Sequence, residues 1–167
     1  MSALVHVDGA WVHFLSRQYD EAIAENLKAI DIEPASGWAY AQLAATYAAE
    51  GRRAEALAAA DKGPQVNQSP LVLAMSGGVY AQVGEKEKAR RVLATLADIT
   101  KRRYVCPYEV GDVHIGIGDN DEAFRWLEKG FRDRSACMPF TKVDPRLDPL
   151  RSDPRYADLV RRIGFPP

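Results

Sequence analysis

Four alanines, Ala22, Ala56, Ala89 and Ala123, stand 34, 33 and 34 residues apart, and the residues before each one repeat in register. Twelve residues upstream sits a small residue (Ala10, Ala44, Gly77, Gly111), and nine upstream a ring (His13, Tyr47, Tyr80, His114). Five upstream stands Arg17, Gly51, Gly84 or Gly118. A period of this length held across four columns is the mark of a stacked helical array, because one helix pair cannot bury its apolar face without a neighbour.

Each column has a physical reading. The small residue lets two helices approach closely, the ring fills the space one turn further on, and glycine supplies the positive φ that ends a helix. The pattern predicts helix pairs at 4–16 and 19–32, 36–50 and 53–62, 70–83 and 86–101, and 106–117 and 120–133. Pro34, Gly51, Pro70, Gly84, Pro107 and Gly118 fall at the proposed ends, and Asp119 is a cap for the helix after it. Gly63-Pro64 interrupts the second repeat, so its second helix is expected to stop about a turn early or to kink.

Leu43-Ala44-Ala45-Thr46-Tyr47 followed by Gly51 and Ala56, and Gly77-Gly78-Val79-Tyr80 followed by Gly84 and Ala89, resemble the tetratricopeptide repeat, as does the terminal Pro34 of the first copy. The resemblance covers residues 3 to 135. It implies an all-α fold, a right-handed α-α superhelix of about four helix-turn-helix repeats. The expected organisation is one repeat domain over residues 1–167, with repeats at 3–36, 37–69, 70–103 and 104–135 and a C-terminal cap segment at 136–167.

Beyond Ser135 the period fails and three Asp-Pro pairs appear, at Asp144-Pro145, Asp148-Pro149 and Asp153-Pro154. Aspartate accepts orphan amides and proline has none to leave unpaired, so short turns are predicted, then a helix over 154–163. Tyr156, Leu159, Val160 and Ile163 would share its inner face and close the last repeat. With Lys101-Arg102-Arg103-Tyr104-Val105, the stretch from Asp144-Pro145 to Tyr156 resembles the tail of many bacterial tetratricopeptide regions attached to adenylate-cyclase-like, winged-helix regulator and protein-kinase domains. That likeness implies the alternative role of a C-terminal regulatory or sensory region of a larger transcription regulator, cyclase or kinase.

Chemistry finds little footing. A net charge of -1 lacks the basic excess of a nucleic-acid binder, and no apolar run spans a bilayer. No phosphate loop, zinc-type cluster or nucleophile motif is present, so the chain is read as a non-enzyme without cofactor or metal. His13 and His114 occupy the column of Tyr47 and Tyr80, which favours packing over ligation, while His6 lies seven residues from His13 on one helical face. Cys106 and Cys137 are read as free thiols in a reducing cytoplasm, a disulfide or metal site being the remote alternative.

The resemblance places the first helices on the inner, concave wall. There the register puts Trp11, Phe14, Leu15, Trp38, Ala41, Ala45, Ala48, Ala49, Ala74, Gly78, Ala81, Gln82, Tyr108, Asp112 and Ile115. A floor of alanine and glycine with aromatic margins suits a helix or extended segment of a protein or peptide partner. The competing expectation is that these residues pack against neighbouring repeats, or that the tail fills the groove. At the other end, Leu4, Val5, Val7, Trp11, Val12, Phe14 and Leu15 are more apolar than one helix face can hide, which points to a homodimer through the first repeat or to a missing upstream repeat.

Overall fold

The computed structural model describes residues 2–165. Residues 1, 166 and 167, which the sequence reading assigns to the ends of the array, lie outside the described residues. Eight α-helices pair in order: α1 (Ala3–Leu15) with α2 (Tyr19–Ile32), α3 (Gly37–Ala49) with α4 (Arg53–Val66), α5 (Pro70–Gln82) with α6 (Lys86–Ile99), and α7 (Pro107–Ile117) with α8 (Asn120–Arg132). Two 3-10 helices, Met138–Lys142 and Pro145–Leu150, lead to α9 (Pro154–Ile163). First helices pack on the next first helix, α1 on α3, α3 on α5 and α5 on α7, and form one side of an α-α superhelix. Among the described residues there is no strand.

The repeat columns explain the stacking. Ala10, Ala44, Ala22, Ala56, Ala89 and Ala123 are all fully buried, and a Cβ at Gly77 would collide with Val92. Each helix pair turns in the same way. The amides of Gln18, Arg52, Glu85 and Asp119 donate to the carbonyls of the ring column, His13, Tyr47, Tyr80 and His114, at 2.9, 2.9, 2.7 and 2.9 Å. This bond returning from just beyond the helix end requires a left-handed residue between. Gly51, Gly84 and Gly118 supply it at φ 74°, 92° and 92°, and Arg17 takes the same conformation at 60°.

The tail closes the array as its Asp-Pro pairs imply at two of three positions. Asp144 and Asp153 cap, accepting from the amides of Arg146 and Arg155 at 2.9 Å each, whereas Asp148 instead pairs with Arg17 and Arg151. α9 lies along α8, with Tyr156 and Leu159 buried and Val160 and Ile163 packed beside them. Arg155 stacks over Phe124 and binds Asp121, while Arg162 stacks over Phe131 and binds Glu128.

One element differs from the sequence reading. α4 does not end at residue 62 but runs through Pro64 to Val66. The missing Pro64 amide would have reached the Ala60 carbonyl, and the loss of that donor is one reason proline breaks helices. Here the Tyr80 hydroxyl, from the next repeat, lies 3.1 Å from the Ala60 oxygen and 2.7 Å from Asp61 Oδ1. Burial, reinforced by Asp61, pushes the Tyr80 hydroxyl's pKa well up, so its proton stays to be donated. Tyr80→Phe is therefore expected to cost about 1–3 kcal/mol of unfolding free energy. In a Pro64→Ala background, where residue 64 regains an amide, the same change should cost distinctly less. Urea unfolding of the four proteins checks this, and equal costs in both backgrounds refute it.

Candidate functional site

The inner wall is tighter than an open groove. Of the fifteen wall residues, Phe14, Ala41, Ala45, Ala48, Ala74, Gly78, Ala81, Tyr108, Asp112 and Ile115 are buried. Trp11, Leu15, Trp38 and Ala49 are half-buried, and Gln82 is exposed. Small side chains on the floor let first helices nest: Ala41 packs with Val72 and Met75 of α5, and a Cβ at Gly116 would strike Ala81. The rest of the cover comes from residues 138–150, which lie over α7 and reach across to α1.

Arg146 anchors that segment. Its guanidinium is buried and surrounded by Glu109 at 2.7 Å, Asp144 at 2.7 Å and Asp112 at 3.4 Å. It sits above two rings, 5.1 Å from the Trp11 centroid and 5.7 Å from that of Tyr108. Tyr108 donates its hydroxyl to Asp144 Oδ2 at 2.9 Å, fixing the capping carboxylate. Trp11 in turn stacks on Phe14, with centroids 5.2 Å apart, and meets the edge of Phe140 at 5.8 Å. Two bonds beyond the socket complete the crossing, between Arg17 and Asp148 at 2.8 and 2.9 Å.

Local sequence explains who stands where. Trp11, Ala45, Gly78 and Asp112 occupy one column of the repeat, eleven residues before the marker alanine. The aromatic and the acid thus lie at the two ends of the wall, while Ala45 and Gly78 leave room between. The absence of a Cβ at Gly78 matters here, since one would overlap the Asp112 carboxylate. Glu109, Asp144 and Arg146 are functional candidates that the sequence reading missed. The available signal was an acid at 109 and at 112 on a helix face where repeats two and three carry neutral residues (Gln42, Met75, Ala45, Gly78).

Three carboxylates face one guanidinium, so the group holds more negative charge than it neutralises. Burial raises the Asp112 pKa to about 7; Arg146 works against that shift, and Glu109 and Asp144 add to it. The same acids, despite burial, hold the Arg146 pKa well above its usual value. Two clefts flank Pro145-Arg146. One, of about 250 Å³, is bounded by Gly78, Gln82, Asp112, Ile115 and Pro149; the other, of about 180 Å³, by Phe14, Arg17, Ala49, Gln82 and Asp148.

Other candidates are occupied structurally. His6 Nδ1 lies 2.6 Å from Glu25 Oε2 across α1 and α2, His13 Nδ1 2.7 Å from Gln18 Oε1, and His114 Nδ1 4.0 Å from Asp119, with burial lowering the His114 pKa. Among the described residues no three His, Cys, Asp or Glu side chains are grouped to hold a metal ion.

No protein-family model and no curated protein matches the sequence. Among solved structures, one titled "Functional Characterization of Pseudomonas Aeruginosa pilF" is similar over 99% of this chain and 78% of that one, at 20% identity and a TM-score of 0.60. Another, the crystal structure of the APC/C hetero-tetramer Cut9-Hcn1, aligns over 98% of this chain and 43% of that one, at 13% identity and a TM-score of 0.36, too loose a likeness to build on. With four in-register helix pairs and the PilF likeness, the chain has the fold of a helical repeat array, an α-α superhelix like that of tetratricopeptide repeats. At this identity the likeness is one of fold.

The socket carries a pH signature. A carboxyl whose pKa is raised on folding stabilises the folded chain below its unfolded value near pH 4, and that contribution is lost as pH climbs to about 7. Asp112→Asn keeps the shape and removes the titration. The stability of the wild type relative to this variant should thus fall between pH 4 and pH 7 and level off above, measured as paired urea midpoints. A difference independent of pH would mean that Asp112 titrates normally.

Proposed function

We propose that the chain is a non-catalytic scaffold that binds a protein partner, as a peptide or helix, along its inner wall. The recognition surface comprises Trp11, Leu15, Trp38, Ala49 and Gln82 at its accessible margin, with the buried floor positions setting its shape. One observation carries this reading: the wall already seats a segment of main chain, residues 138–150, by an arginine held between acids and rings. A wall that accepts one such segment has the clearance and polarity to accept another carrying a cation on an apolar stem. The partner then either displaces the chain's own tail or extends along the clefts beside it. No helix among the described residues is long and apolar enough to cross a membrane, and the cytoplasm is the proposed location.

A photo-crosslinking residue tests the surface in the source cell. Placed at Gln82 on the inner wall, it should capture a discrete partner; placed at Arg91, exposed on α6, it should not. Capture at Arg91 alone would move the binding surface to the outer helices.

A second contact is favoured by the bare first helix. Leu4, Val5 and Val12 are 67%, 50% and 62% exposed on α1, whereas Phe14 is buried and Trp11 half-buried beneath α2 and the tail. Such a cluster suits a second copy of the chain. Sedimentation at micromolar concentration is expected to show a dimer that Val12→Glu converts to monomer, and a monomeric wild type refutes it.

A further inference from the structure

Cys106 and Cys137 are 31 residues apart in sequence, yet their sulfurs share a hydrogen bond at 3.1 Å. Cys106 is the residue before Pro107 at the start of α7, and Cys137 is the last residue before the 3-10 helix Met138–Lys142. The pair therefore sits where the repeat array hands over to the tail. Ser135 lies 3.7 Å from the Cys106 sulfur, and the exposed Tyr104 donates to the Ser135 hydroxyl at 3.2 Å. Cys106 is buried and Cys137 half-buried.

We propose that Cys106 and Cys137 are a hydroperoxide-responsive thiol pair that closes to a disulfide and pins the tail to the start of α7. The two thiols differ in role. Cys106 stands at a helix N-terminus, whose partial positive charge favours a thiolate, and its pKa is lowered to about 6, chiefly by its hydrogen bond with Cys137. The Cys137 pKa is raised by the same contact and by burial, so it keeps its proton. Cys106 is then the attacking sulfur and Cys137 the resolving one.

The chemistry balances with the peroxide as oxidant. The Cys106 thiolate attacks one peroxide oxygen, the O–O bond breaks, and an alcohol or water leaves after taking up a proton, with Cys106 now a sulfenic acid. The Cys137 sulfur attacks the sulfenyl sulfur and gives up its proton; the S–O bond breaks and water departs. The two thiols lose two electrons, the peroxide gains two, and one disulfide remains. Only about 1 Å of approach separates the hydrogen-bonded sulfurs from a bond. Because Cys137 leads directly to Phe140, which packs on Trp11, the bond also fixes the tail against the first repeat.

Intact-mass and peptide analysis of the full chain after treatment with hydrogen peroxide tests this. The expected product has lost two hydrogens, contains linked Cys106 and Cys137 peptides, and reverts with dithiothreitol. In Cys137→Ser, dimedone should trap a sulfenic acid on Cys106; in Cys106→Ser, Cys137 should stay unlabelled. A treated wild type that keeps both thiols, or that accumulates sulfinic acid without a disulfide, overturns the pair. Dimedone on Cys137 in place of Cys106 overturns the assignment of roles.

Discussion

A guanidinium removed from water needs compensation on every side, and Arg146 finds it only where three distant parts of the chain meet. Trp11 comes from the first repeat, Glu109, Asp112 and Tyr108 from the fourth, and Asp144 from the tail. The desolvation of such a group roughly offsets its attractions, so the socket contributes more to uniqueness than to net stability. Repeat arrays are soft in curvature because each unit touches only its neighbours. Burying one charge against both ends selects a single curvature from that range.

The alanine and glycine floor now has a reason beyond clearance. Small residues bring first helices close enough to bury Ala41, Ala74 and Ala81 against the next repeat, and the same closeness brings Trp11 and Asp112, the two ends of one column, within reach of one arginine. Bulkier floor residues would spread the wall and leave the guanidinium short of a partner. The charge excess of the socket is the other side of this design: with three acids around one cation, burial raises the Asp112 pKa to about 7, and a proton held there reduces the excess without cancelling it.

The architecture was largely legible because its determinants are local. The left-handed turn, the ring carbonyl it returns to and the marker alanine all lie within a few residues of one another, so the column pattern carries them directly. Two of three Asp-Pro caps followed for the same reason. Pro64 was misread because its substitute donor, Tyr80, belongs to another repeat, and nothing adjacent to Pro64 announces it. The socket was harder still. Asp112 was placed on the wall from its column and Asp144 as a cap, but nothing near Glu109 or Arg146 in sequence joins them to those acids until the tail is folded back, and 3-10 turns with non-local packing leave no periodic trace. The thiol contact was held only as a remote alternative, since Cys106 and Cys137 flank repeat four and only tertiary structure joins them.

Arg17 shows what one departure from the repeat accomplishes. Its three counterparts are glycines, and the left-handed backbone is strained for any other residue. Glycine, however, has no side chain to send toward Asp148. In an open array the terminal units fray first, each end melting without reference to the other. With Arg17 tied to the C-terminal segment beside the buried Arg146 socket, peeling back the first repeat also breaks contacts with the tail, and lifting the tail uncovers Trp11. Opening at either end of the array therefore costs contacts at the other.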